Sequence, residues 1–350
     1  MHEMSSTVNL RLKTCFHIQE IEAGLWNKIG REDAFQSYQW YFYAEKVMVD
    51  CRPFYILAYD NEELVGRATF YLVPSEPLPI QPIFLRNIAQ QIFRRWPLFI
   101  CRTPLAGLSG FVLSEQADRD EMLAKISSAA LAQAREWKSS FLFFDFVEQE
   151  LTLLPGWKPR FKSMMVSEPG TLMKLSSPDF ESYISGLGKD ERYHYRRIQR
   201  KAQELGIVVE RHTSATDLDE ALALIRKVEA KHTSTPVPWT RALLENLNLV
   251  EGTWLTARIE NRLVGCGLAL RDNGAQINTA LGLADDVPYV YFALLYESLR
   301  LAFENNARLV RLGSGAYDVK KHLGFQVETN NYVMAASPNS ALQRLIDRMA

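Results

Sequence analysis

The 350-residue sequence predicts a mixed α/β fold made by tandem duplication of one unit. Three observations predict it. A twelve-residue segment recurs without a gap, each copy sits in the same order of helices and strands, and the chain is too long for one ordinary core.

The recurring segment runs Tyr55-Ile-Leu-Ala-Tyr-Asp-Asn-Glu-Glu-Leu-Val-Gly66 in the first half and Trp254-Leu-Thr-Ala-Arg-Ile-Glu-Asn-Arg-Leu-Val-Gly265 in the second. Apolar alternation on either side of a polar turn, around Asn61 or Asn261, reads as a β-hairpin. Helical segments precede each hairpin, at 21–29 and 38–49 in the first half and at 217–231 and 240–248 in the second. Each half then carries a long amphipathic helix leading into a strand, 119–138 into 141–147 and 291–305 into 308–312. In the first of these helices Met122, Ile126, Ala129, Ala130 and Ala134 recur at helical spacing, whereas Phe141-Leu-Phe-Phe-Asp-Phe146 is too apolar for a solvated face.

Pro155, Gly156, Pro159, Pro169 and Gly170 interrupt the periodicity between the halves, which places domains at 1–160 and 161–350. A second irregular stretch, 74–105, holds Pro77, Pro79, Pro82, Pro97 and Pro104. Its apolar residues Ile80, Ile83, Phe84, Leu85, Ile88, Ile92 and Phe93 favour a packed extended segment over a free loop.

Composition narrows the function classes. The chain is 47% hydrophobic and 23% charged with a formal net charge of -1, so any nucleic-acid contact has to come from a local patch. The four cysteines, Cys15, Cys51, Cys101 and Cys266, are widely spaced and read as reduced thiols, neither a disulfide framework nor a zinc site. The histidines have no metal-ligand spacing, and no metal is expected. A polar N-terminus without an apolar signal core, and no apolar run long enough to span a bilayer, predict a soluble cytoplasmic protein.

Three motifs carry chemistry. Phe35-Gln36-Ser37-Tyr38-Gln39-Trp40 begins the second helix, where Ser37 equally suits an N-cap and the aromatics a core. Lys189-Asp-Glu-Arg192-Tyr-His-Tyr-Arg196-Arg197-Ile-Gln-Arg200-Lys201 is a basic helix. Arg192, Arg196 and Arg200 share one of its faces and can grip successive phosphates, the bland alternative being a solvated charged surface. Leu312-Gly313-Ser314-Gly315-Ala-Tyr317-Asp-Val-Lys320-Lys-His-Leu-Gly324-Phe325 follows a predicted strand. Its glycine-serine-glycine turn can offer backbone N–H groups to an anion or oxyanion, or can simply turn the chain.

The order helix–helix–hairpin–strand–helix–strand is that of the N-acetyltransferase (GNAT) superfamily, and its doubling resembles the Fem peptidyltransferases and their BioF2-like relatives. The first motif is similar to the Fem signature Gln-Ser-x-x-Trp, and the last to Tyr-x-x-Lys-x-x-x-Gly with Tyr317, Lys320 and Gly324 in place. Two positions depart from the families. Ala44 stands where Fem enzymes carry a lysine, and Asp285-Asp-Val-Pro-Tyr289 stands where acetyltransferases carry a glycine-rich pyrophosphate loop.

The resemblance implies an N-acyltransferase with the acceptor on the first domain and the donor in the second, between 277–283 and 308–313. It implies Lys320 steadying negative charge and Tyr317 relaying a proton, with Arg192, Arg196, Arg197, Arg200, Gly313, Ser314, Gly315, Gln36 and Trp40 in donor or substrate binding. Acyl-CoA is the expected co-substrate and a small-molecule or cell-envelope amine the acceptor, with no permanently bound cofactor and no DNA. Aminoacyl-tRNA transfer of the Fem type is the alternative, and a non-catalytic binding protein that keeps the fold a further one. The oligomeric state is left open.

Overall fold

A computed structural model describes residues 10–76, 83–115, 117–165, 168–232 and 236–349, with the backbone alone for residues 83, 85, 86 and 89. The first half begins with β1 (Leu10–Cys15), α1 (Ala23–Trp26) and α2 (Tyr38–Val47), then the hairpin β2 (Arg52–Asp60) and β3 (Glu63–Val73). It continues with α3 (Ile83–Arg95), β4 (Leu98–Cys101), β5 (Phe111–Leu113), α4 (Arg119–Glu136), β6 (Leu142–Val147) and β7 (Lys162–Met165). The second half begins with β8 (Thr171–Lys174), α5 (Phe180–Gly186), α6 (Lys189–Glu204), β9 (Ile207–His212), α7 (Leu218–Lys231) and α8 (Thr240–Glu245). The hairpin β10 (Glu251–Ile259) and β11 (Arg262–Asp272) follows, then β12 (Ala275–Leu283), α9 (Val290–Glu304), β13 (Leu309–Leu312), α10 (Tyr317–His322), β14 (Gln326–Val327), β15 (Tyr332–Ala336) and α11 (Ser340–Met349).

The repeat read from the sequence is a repeat of structure down to its irregularities. Both hairpins bulge at the same aligned place, between Ala58 and Tyr59 and between Ala257 and Arg258. The aligned turn residues Asn61 and Glu260 both lie in the left-handed region, at φ 54° and 52°. A two-residue turn between twisted strands demands that conformation, which asparagine adopts at less cost than glutamate.

The second half gives one strand to the first sheet. The first has the order β1-β2-β3-β4-β6-β15-β7 with β5 on β3, and the second β14-β8-β13-β12-β11-β10-β9. Strand β15, from the far end of the chain, lies between β6 and β7, while β8 lies between β13 and β14. A cut at residue 160 therefore does not separate the sheets, because β7 and β15 both belong to the first.

Two further expectations change. The helix expected at 21–29 shrinks to the four-residue α1, preceded by a 3-10 turn at Ile18–Glu20. Residues 83–95 are helix α3, not a packed extended segment, and Phe84, Ile88, Ile92 and the following Trp96 are exposed. Residues 77–82, including Pro77, Pro79, Ile80 and Pro82, lie outside the described residues. Among the described residues no helix is long and apolar enough to cross a membrane.

Candidate active site

Strand β13 ends at Leu312, and the chain turns through Gly313, Ser314, Gly315 and Ala316 into α10. Gly315 has φ 82° and Ala316 φ 48°, two consecutive left-handed residues that reverse the chain tightly. One turn into α10 the Lys320 side chain folds back beneath the reversal. Its Nζ donates to Gly313 O at 2.5 Å and to Ser314 O at 3.4 Å. Lys320 is buried with no carboxylate partner among the described residues, and loss of solvation lowers its ammonium to about 8. Two carbonyls use two of the three ammonium protons and leave one to point elsewhere.

From the sequence, this turn either offers its N–H groups to an anion or simply reverses the chain. In the structure its carbonyls accept from Lys320, so the lysine shapes the turn. Tyr317 lies with its ring 5.9 Å from Nζ, and its hydroxyl donates to Pro169 O at 2.8 Å. In this arrangement its proton is held by a backbone carbonyl, and relaying it would require that bond to break.

Beside this turn the sheet opens. Strands β12 and β13 pair in parallel at only three positions, ending at Ile277↔Arg311, whereas β12 continues to Leu283 on β11. A bulge opposite Cys266–Leu268, with Ala280 at φ 50°, bends β12 further. Residues 277–281 of this central strand are partly exposed, and backbone groups on its β13 side lose their ladder partner. Gly313 stands where β13 leaves the pairing, so Lys320 and the turn lie at the mouth of the cleft.

The equivalent place in the first sheet is closed. Strands β4 and β6 also pair in parallel at three positions, ending at Cys101↔Phe144. The next residue on each strand is Arg102 and Asp145, joined across the gap at 2.8 Å, with Glu76 on the same guanidinium at 2.7 Å. Burial raises the Asp145 carboxyl to about 6 in spite of that partner. The loop after β4 folds over the gap, with Thr103 N donating to Leu108 O and Gly107 packed against the Phe146 ring. The aspartate inside the apolar run Phe141–Phe146 was the sequence signal for this pair, since a charge in such a strand requires a partner.

Gln36 and Trp40 hold that loop from behind. Gln36 is buried, donating to Thr103 Oγ1 at 2.7 Å and accepting from Tyr41 Oη at 2.9 Å. Trp40 is wholly buried and donates to Pro104 O at 2.9 Å. The structure thus places both behind this loop, with these polar groups bonded inside the protein. Ser37 does cap α2 through Trp40 N, and it also donates from N and Oγ to Asp272 at the end of β11. Ala44 is fully buried on the same helix, where a lysine would be cut off from water.

The arginines of α6 do not converge. Arg192 turns back onto Leu187 O and Ser185 O at the end of α5, and Arg200 pairs with Glu204 at 3.6 Å. Glu204 also holds Lys201 at 2.6 Å, so an acid stands at the far end of the arginine face. Arg196 and Arg197 are exposed and have no acidic partner among the described residues. Near the start of α6, Glu191, His194 and His322 line a cavity of about 290 Å³ with Phe292, Tyr296 and Leu323. Burial and the Arg197 charge lower the His194 imidazole, and His322 Nδ1 lies 3.2 Å from Glu191.

Sequence reasoning missed the buried ion pair that ties this site to the first sheet. Arg311 of β13 donates to Glu328 at 2.6 and 2.7 Å and also to the carbonyls of Ala106 and Gly107. Both partners are buried and 17 residues apart in sequence, and nothing in the local pattern around either one marks the contact. All four cysteines are buried, and burial lifts the Cys51 and Cys266 thiols to about 12, the reverse of an activated nucleophile.

Comparison with known proteins agrees with this architecture. Residues 189–321 match the family model described as an acetyltransferase (GNAT) domain. No curated protein matches the chain in sequence. Among solved structures the chain is similar to FemX, with 13% identity, a TM-score of 0.64, and coverage of 96% of this chain and 100% of that one. It is also similar to a tandem GNAT protein from the clavulanic acid biosynthesis pathway, with 11% identity, a TM-score of 0.58, and coverage of 94% and 99%. L-PGS from Bacillus licheniformis gives 10% identity, a TM-score of 0.53, and coverage of 93% and 94%. Residues 189–321 thus form a GNAT-type acetyltransferase domain, and the chain as a whole has the tandem two-domain fold of FemX and of the tandem GNAT protein.

Proposed function

We propose that the second unit transfers an acyl group from acyl-CoA to an amine. The observation that carries this reading is the open cleft between β12 and β13, with the Lys320-braced turn at its mouth, against the closed cleft of the first sheet. In the proposed step a neutral amine attacks the thioester carbonyl. A C–N bond forms, the C–S bond breaks, and the departing sulfur takes up the proton the amine gives away. Backbone N–H groups freed where β12 leaves β13 are suited to the oxyanion, because they are fixed before the charge develops. The third Lys320 proton can add to the same field. Likeness to a tandem GNAT protein described in a form without AcCoA supports CoA as the donor.

A panel of acyl-CoAs and amines, followed by thiol release, tests the proposal. Release that depends on both substrates and is lost in Lys320→Met supports it. Donor binding with no release from any amine would overturn it.

A second reading is transfer from aminoacyl-tRNA. It is favoured by the exposed Arg196 and Arg197, which have no acidic partner among the described residues, and by the likeness to FemX. Activity that survives ribonuclease, or charged tRNA that binds no better than an RNA duplex, would remove it. A non-catalytic protein would show the same cellular phenotype with Lys320→Met as with the wild-type chain.

A further inference from the structure

Helix α3 is an insertion between β3 and β4 whose apolar side faces away from the protein. Phe84, Ile88, Ile92 and Trp96 recur every four residues and are 61%, 53%, 44% and 51% exposed. At 100° per residue they form one stripe about 120° wide. Phe93, on the opposite side, packs against the core, and Trp96 continues the helix through its N–H to Ile92 O at 2.8 Å. Ser140 Oγ donates to Trp96 O at 2.9 Å and fixes this end of the helix to the sheet. The stripe is thus held outward by rigid anchors.

The charge on this helix has a single sign. Its sequence holds Arg86, Arg94 and Arg95 and no Asp or Glu. Arg94 and Arg95 are exposed in its last turn, beside Trp96. Arg94 also edges a cavity with the exposed Val49, in which Asp50 is the only carboxylate among the lining residues. An apolar stripe ended by tryptophan and flanked by arginines without acids matches the region between lipid headgroups and acyl chains, where an anionic surface supplies the missing countercharge. A symmetric pairing of two copies through this face would instead bring cationic helices together with no acid on either one.

We infer that α3 is a docking element for an anionic membrane surface, inserting Phe84, Ile88, Ile92 and Trp96 at the headgroup boundary with Arg94 and Arg95 on the lipid phosphates. The inference does not depend on which group the second unit transfers. The test is co-sedimentation of the full chain with vesicles of equimolar phosphatidylcholine and phosphatidylglycerol, and with phosphatidylcholine alone. Binding to the anionic vesicles is expected, weakening in high salt and falling at least about tenfold in Ile88→Glu. Arg94→Gln and Arg95→Gln should each weaken it about fivefold. The four apolar side chains are exposed, so Ile88→Glu should leave the thermal midpoint unchanged and isolate docking from folding. Equal sedimentation with and without vesicles would overturn the inference. So would binding that Ile88→Glu leaves intact, or a dimer in light scattering that Ile88→Glu dissociates.

Discussion

The Lys320 ammonium lies 2.5 Å from Gly313 O, so the one buried lysine of the terminal motif holds the turn at the mouth of the open cleft. A buried cation with no carboxylate partner among the described residues is costly, and loss of solvation accordingly lowers its pKa to about 8. The same contact sets the first prediction.

If the charged form braces the turn and the oxyanion, transfer should fall as pH rises above about 8, where Lys320 loses its proton. Lys320→Met should lower kcat about 100-fold and abolish that descending limb. Stability should move the opposite way. The folded-state pKa lies below the unfolded value near 10.5, so between about 8 and 10.5 the unfolded chain holds more protons and unfolding becomes less favourable as pH rises. Urea titrations of wild type and Lys320→Met across that window would show the difference.

Trp40 is wholly buried and Gln36 is satisfied within the protein. Trp40→Ala should cost about 3–5 kcal/mol of stability through the cavity it leaves. Trp40→Phe should lower the thermal midpoint while KM for both substrates stays unchanged. A rise in KM without a loss of stability would instead assign this residue to the binding site.

Arg311 and Glu328 form a buried pair that also reaches the loop covering the first sheet's gap. Truncating either partner alone, as in Arg311→Met or Glu328→Met, should cost about 3–5 kcal/mol, because the survivor stays buried and uncompensated. The double variant should be much less destabilised than the sum of the two. Chemical denaturation of all four proteins closes this cycle.

Arg196 and Arg197 are exposed on α6 and make no ion pair among the described residues. Their conversion to Gln should leave stability within about 0.5 kcal/mol. Should they meet donor phosphates, KM for the donor rises severalfold and its salt dependence flattens, with kcat unchanged. Initial rates at two salt concentrations distinguish this outcome from a merely solvated face.

Much of this could be read in the chain itself, because it rests on local order. The two equivalent hairpins were legible because strand alternation and turn chemistry act over a few residues, and their matching bulges emerged only in the structure. Helices α2, α4, α6, α7 and α9 lie within one or two residues of their expected bounds at most ends, where caps and apolar spacing mark them. Helix α3 was missed because its apolar residues were assigned to a core. Periodicity marks an apolar face but not what covers it, and only the folded arrangement shows Phe84 and Ile88 facing outward.

The sequence by itself determined the repeated unit and the motif joining Tyr317, Lys320 and Gly324. Tertiary structure alone decided which of the two units keeps an open cleft. The answer depends on Arg102 meeting Asp145 across one gap while Arg311 leaves the other to meet Glu328. It also decided that β15 returns to the first sheet. These are pairings between segments far apart in the chain. Their energy comes from burial and charge compensation after the chain has closed on itself, and no local pattern of residues encodes it.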